Sequence, residues 1–175
     1  MFGSVNVANA QGFQGTYAPS NWNFSSDVGG SVNTTNAPNS ISLTSGNSFS
    51  GGDTTYTITA PADGTVSFNW SFNSSDLDSP FYDPFGYLLN GSFVQLSNDA
   101  GASIQNGTTT FMVMVGDIFG FNANTLDGEA GSATTTISNF QAPEASPVST
   151  PEPTSVVVLI GVGVLGVAGK LKKKS

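Results

Sequence analysis

The stretch Thr65–Phe72, TVSFNWSF, sets Val66, Phe68, Trp70 and Phe72 against Thr65, Ser67, Asn69 and Ser71. Successive side chains of a strand point to opposite faces. This period of two therefore predicts a β-strand with one face in a core and one in water. The same alternation recurs on both sides. Tyr56, Ile58 and Ala60 alternate with Thr, and Phe111, Val113 and Val115 alternate with Thr110, Met112 and Met114. Phe119 and Phe121 follow, and Thr134–Phe140 predicts a closing, polar-rich strand. Turns are expected at Asp63-Gly64, Asn90-Gly91, Asn106-Gly107, Gly116-Asp117 and Asp127-Gly128, where Gly, Asn and Asp tolerate the backbone of tight connections. The Ser-, Asn-, Thr- and Gly-rich region Ser25–Ser50 predicts edge strands around Ile41–Leu43 and long loops. No stretch before Thr154 has helical periodicity. The expected body is an all-β, antiparallel β-sandwich or jelly roll over residues 11–141.

The chain has 175 residues, with 12 Asp plus Glu, four Lys, and no Arg, His or Cys. All four Lys lie in the last six residues, so residues 1–169 carry twelve carboxylates and no base. A body without cations has no surface that releases counterions from nucleic acid. Without His or Cys, imidazole catalysis, thiolate nucleophiles, disulfides and ordinary zinc or haem sites are excluded. The 38% apolar fraction is enough to fill one core, so composition does not predict disorder. No reaction is legible in these residues, and the chain is read as non-enzymatic.

Both ends read as addresses. Ala8-Asn9-Ala10 before Gln11 fits an A-x-A cleavage site, so residues 1–10 are expected to be the remnant of a signal peptide or a frayed terminus. Residues 142–154, APEASPVSTPEPT, form a Pro-, Ser- and Thr-rich linker. Residues 155–175 hold an apolar run followed by Lys170, Lys172, Lys173 and Lys174. From Thr154 to Leu171 the run spans 18 residues, roughly 27 Å as a helix. That predicts a C-terminal transmembrane helix with its basic end in the cytoplasm. Gly161, Gly163 and Gly166 also fit a dinucleotide-binding GxGxxG, but a Pro-rich linker precedes them and no acidic residue follows, so that reading is discarded.

Pro151-Glu152-Pro153, then an apolar run, then a basic tail, resembles the PEP-CTERM sorting signal over about Thr150–Ser175. This tail uses Lys where the family often uses Arg. The resemblance implies an exported substrate of a membrane-embedded exosortase, which recognises the PEP segment and removes the tail. Exosortase systems accompany exopolysaccharide production, so a matrix or biofilm role is implied as well. A permanent membrane anchor is the rival reading. In the body, GSVNTTNAP, TITAPADGTVSFNW, FGYLLNG and GDIFGFNANTLDGEAGSATTTISNF look like a domain that recurs in PEP-CTERM proteins. From Thr57 to Phe140 the layout is also similar to CUB domains, although the CUB cysteines are absent. CUB domains are jelly-roll sandwiches that bind proteins or sugars, often through calcium.

The densest acidic patch is Asp76, Asp78 and Asp83 in SSDLDSPFYD, and the CUB-like layout brings Asp127 towards it. Oxygen-rich loops of this kind suit calcium, and a fully solvated acidic loop is the competing reading. Trp22, Trp70, Tyr82 and Tyr87 are candidates for stacking on sugar rings, with Trp70 expected in the core. The expected function is an exported, non-enzymatic envelope or matrix protein. Its partners would be the exosortase, the membrane before cleavage, and extracellular polysaccharide or matrix proteins. A carboxylate-based polysaccharide hydrolase and a permanently anchored surface module are the alternatives.

Overall fold

The computed structural model describes residues 8–78 and 80–145. The alternating stretch forms β6, Gly64–Ser74, with Val66, Phe68, Trp70 and Phe72 buried. The other strands are β1 Ala8–Gln11, β2 Asn23–Ser26, β3 Ser31–Asn33, β4 Ser40–Thr44, β5 Gly52–Thr59, β7 Phe85–Leu89, β8 Ser92–Gln95, β9 Ile104–Val113, β10 Ile118–Thr125 and β11 Ala133–Glu144. One sheet runs β3-β4-β11-β6-β9, with β1 added to β11, and the second runs β2-β5-β10-β7-β8. Every pairing is antiparallel. The expected all-β sandwich is therefore the fold, and its core lies between the two sheets.

β11 organises the first sheet. It pairs with β6 along one edge; along the other it pairs with β4 through Thr134–Ser138 and with β1 through Gln141–Glu144. Its register against β6 slips between Ser138 and Gln141, where Asn139 adopts φ 50. The bulge inserts one residue and changes which parity faces inward. Ala133, Thr135 and Ile137 are buried before it, and Phe140 and Ala142 after it. The chain then crosses from β1 in one sheet to β2 in the other, and this crossing segment inserts Phe13, Tyr17 and Trp22 between them. Phe13 stacks on Phe140 at 4.8 Å, and Trp22 stacks on Tyr56 at 4.9 Å and on Phe121 at 5.5 Å. Tyr17 donates its hydroxyl to the Pro143 carbonyl at 2.6 Å, and Trp22 its Nε1–H to the Tyr17 carbonyl at 3.0 Å. The polar tips of these rings are thus satisfied inside an apolar core.

Five expectations change. Asn106-Gly107 is no turn; both residues lie inside β9, and a Cβ on Gly107 would fall 2.8 Å from Trp70 Cζ2. Gly107 is there because the Trp70 indole covers it. Val115 lies past the end of β9 and is exposed, since Gly116-Asp117 turns the chain there. Ile41 and Leu43 are not on an edge: β4 sits between β3 and β11, and both side chains are buried. The transmembrane helix is the fourth correction. Among the described residues no helix is long and apolar enough to cross a membrane, the helical pieces being the 3-10 turns Gly15–Tyr17, Pro19–Asn21 and Pro80–Tyr82. Residues 155–175, on which it was placed, lie outside the described residues. Ala8–Ala10 and Ala142–Glu144, assigned above to the leader and the linker, pair with one another in β1 and β11.

Phe140 is fully buried and its ring contacts Phe13, Tyr17, Trp22 and Phe121. Phe140→Ala is expected to lower stability by about 3–5 kcal/mol, the usual range for emptying such a site, measured as a lower urea midpoint with an unchanged slope.

Candidate functional site

The acidic residues singled out above cluster at the end of the sandwich where β11 begins. Three loops meet there: residues 45–51 after β4, 75–84 after β6, and 126–132 before β11. They are stitched by short polar contacts. The Ser45 amide donates to the Ala133 carbonyl and the Ala133 amide to Ser45 Oγ, both at 2.9 Å. The Ser75 amide and hydroxyl both donate to the Ser132 carbonyl, at 2.9 and 2.7 Å. The Leu126 amide reaches the Tyr82 carbonyl at 2.7 Å.

Asp83 lies at the centre, 1% exposed. Its Oδ1 accepts from the Ser45 hydroxyl at 2.7 Å, while Oδ2 has no hydrogen-bond partner. Burial pushes its carboxyl up to about 6. The Ser45 hydrogen bond opposes this, the Asp76 carboxylate adds to it, Thr125 opposes it, and Asp127 adds to it. Asp76 is also buried, and its Oδ1 accepts from the Asp78 amide at 2.7 Å. Asp127 is half-buried and caps the Glu129 amide at 3.1 Å. Asp78 is exposed. The structure thus brings Asp76, Asp83 and Asp127 within electrostatic reach and leaves Asp78 on the outside. Among the described residues no group of three carboxylates forms an arrangement that holds a metal ion. Ser45 and Thr125, which tune Asp83, carried no signal in the sequence beyond being two of many hydroxyls.

The aromatic candidates divide. Trp22 and Trp70 are core residues. Tyr87 stacks face to face on Phe111 at 4.2 Å, and Tyr82 packs edge-on against Phe81 at 5.2 Å. Trp22 was misjudged because its neighbours YAPSN show no strand pattern; its partners come from β5 and β10. The sorting residues Pro151, Glu152 and Pro153, and Lys170, Lys172, Lys173 and Lys174, lie outside the described residues.

Comparison with known proteins bears on the tail and the fold. Residues 149–174 match the model of the PEP-CTERM protein-sorting motif, so this motif is present. It supports an exported, surface-associated protein. No curated protein matches the sequence. Among solved structures, a family 35 carbohydrate binding module from Clostridium thermocellum is similar at 14% identity, over 74% of this chain and 97% of that one, with a TM-score of 0.39. Another family 35 module, from an environmental isolate, gives 16% identity over 71% and 93%, with a TM-score of 0.42. The module CBM6cm-2 from Cellvibrio mixtus lichenase 5A, solved with cellotriose, gives 13% over 80% and 98%, with a TM-score of 0.35. These are weak likenesses between β-sandwiches, and the expected CUB relationship is not confirmed by them.

The raised Asp83 carboxyl fixes the sign of a pH dependence. Its folded value of about 6 exceeds its ordinary 3.8, so the folded chain binds the extra proton between the two. That contribution to stability is fully present below 3.8 and is lost as pH rises through about 6. Urea unfolding at pH 4 and pH 7.5 is expected to show a difference that shrinks by on the order of 3 kcal/mol in Asp83→Asn. The asparagine keeps the acceptor for Ser45 and carries no charge.

Proposed function

We propose that this chain is an exported, non-enzymatic protein of the cell envelope or extracellular matrix, processed by an exosortase and delivering a β-sandwich body for binding or for a structural matrix role. The PEP-CTERM motif at residues 149–174 carries the reading. The body supports it. A polysaccharide hydrolase needs two carboxyl groups facing a substrate across a cleft. Here the carboxyl pushed furthest from its ordinary value is sealed under three loops, where no substrate oxygen reaches it.

The test is the mass of the mature protein recovered from a host with a functional exosortase. The expected species ends near Pro151–Pro153 and lacks the Lys cluster. A host without the exosortase, or a Glu152→Ala chain, is expected to retain the tail. Retention in every case would overturn the processing reading.

A second reading concerns calcium. It is favoured by the unpartnered Oδ2 of Asp83, a buried oxygen that a cation would satisfy; the described carboxylates do not by themselves form a metal-holding group, so backbone and hydroxyl oxygens of the three loops would complete the shell. At pH 7.5, where proton and cation compete least, millimolar calcium is expected to raise the melting midpoint of the wild type and to leave Asp83→Asn unchanged. Absence of a shift in the wild type removes the calcium reading.

A further inference from the structure

The three loops that seal Asp83 turn large apolar side chains outward. Phe49 is 84% exposed and Leu77 89%, with Leu126 at 48% and Phe81 at 44%. Backbone hydrogen bonds tie their loops together: Phe49 to the Gly128 carbonyl at 2.8 Å, Leu77 to Ala130 at 3.3 Å, and Leu126 to Tyr82 at 2.7 Å. The four side chains therefore share one end of the molecule. Phe49 also sits at φ 60 and Ala130 at φ 58, a left-handed conformation that residues with a Cβ disfavour. The Phe49 side chain, held outward at φ 60, gains little from burial. Apolar groups gathered like this on a surface, with strain beneath them, mark a contact site.

Charge selects the occupant. Asp78 and Glu129 are exposed on the same loops, Asp127 is half-buried beside them, and residues 1–169 hold no base. The body of a second copy would bring carboxylates against carboxylates, as would an acidic polysaccharide, and both are repelled. A neutral saccharide finds rings and carboxylate acceptors here, but it carries no cation to neutralise those carboxylates and no aliphatic chain to cover Leu77 and Leu126. A basic polypeptide segment with interspersed apolar residues satisfies every part of the surface. Its cations meet the carboxylates, guanidinium groups stack on Phe49 and Phe81, and aliphatic groups cover Leu77 and Leu126. We infer that this loop end docks a basic, amphipathic segment of a partner protein. The inference is independent of the sorting reading, because it concerns the purified chain.

A labelled eight-residue peptide of alternating Arg and Leu, titrated into the full chain, tests it. Binding is expected to weaken about ten-fold in a Phe49→Ala, Leu77→Ala double variant. The melting midpoint should be unchanged, since both side chains are exposed. Binding should also weaken as salt is raised. Equal affinity in the double variant, or equal binding of a peptide alternating Arg and Ser, would remove the apolar surface from the interaction and overturn the proposal. Preferential binding of dextran would make the surface a saccharide site. Peptide binding that appears only after all four Lys of the tail are replaced by Ser would make this chain's own tail the occupant.

Discussion

Folding this body requires burying or crowding carboxylates with no cation to neutralise them, and the loops are built around that constraint. Each acid whose contacts are resolved is met by dipoles. Asp117 accepts from the Met114 amide at 2.7 Å and from Asn90 Nδ2 at 2.9 Å, which together hold its carboxyl below the usual range. Asp63 takes the Val115 amide at 2.7 Å, and Asp53 takes the side-chain amides of Asn122 and Asn124, each at 2.7 Å. Asp99 is bonded by Gln95. Backbone amides at turns and the Asn, Gln and Ser side chains thus do the work that Lys and Arg do elsewhere.

Asp83 is where this arrangement reaches its limit. The Ser45 hydroxyl serves one of its oxygens and Thr125 adds a smaller stabilising contact, the other oxygen has no close hydrogen-bond partner, and two further carboxylates lie close by. A buried carboxyl in that setting is most stable protonated. The loop end is therefore the part of the molecule with the least electrostatic reserve, and it is also the part that exposes Phe49 and Leu77. The pH-dependent part of stability and the exposed apolar surface lie on the same loops.

The strands were legible because alternation is a local signal that burial enforces: Val66, Phe68, Trp70 and Phe72 can face the core only as β6. What was not legible depended on partners distant in sequence. Asn106-Gly107 has the composition of a turn, yet Gly107 is a strand residue whose missing side chain makes room for Trp70, 37 positions earlier. Phe13, Tyr17 and Trp22 sit in a stretch without periodicity and become core only because the chain crosses between sheets there. The acidic residues were found by density and by layout. Density grouped Asp76, Asp78 and Asp83, and only the CUB-like layout added Asp127; neither could separate sealed Asp83 from exposed Asp78, because burial there is set by the other two loops.

The pairing of β1 with the end of β11 has a mechanical consequence. β11 starts at the loop end with Ala133 and finishes at the opposite end with Glu144, about 40 Å along a strand of twelve residues. It is an interior strand, gripped by β6 on one edge and by β4 and β1 on the other. A pull applied between the loop end and the C-terminal side of the body runs parallel to this strand. Its ladder would be loaded in shear, with the hydrogen bonds on both edges sharing the load, instead of being unzipped one pair at a time.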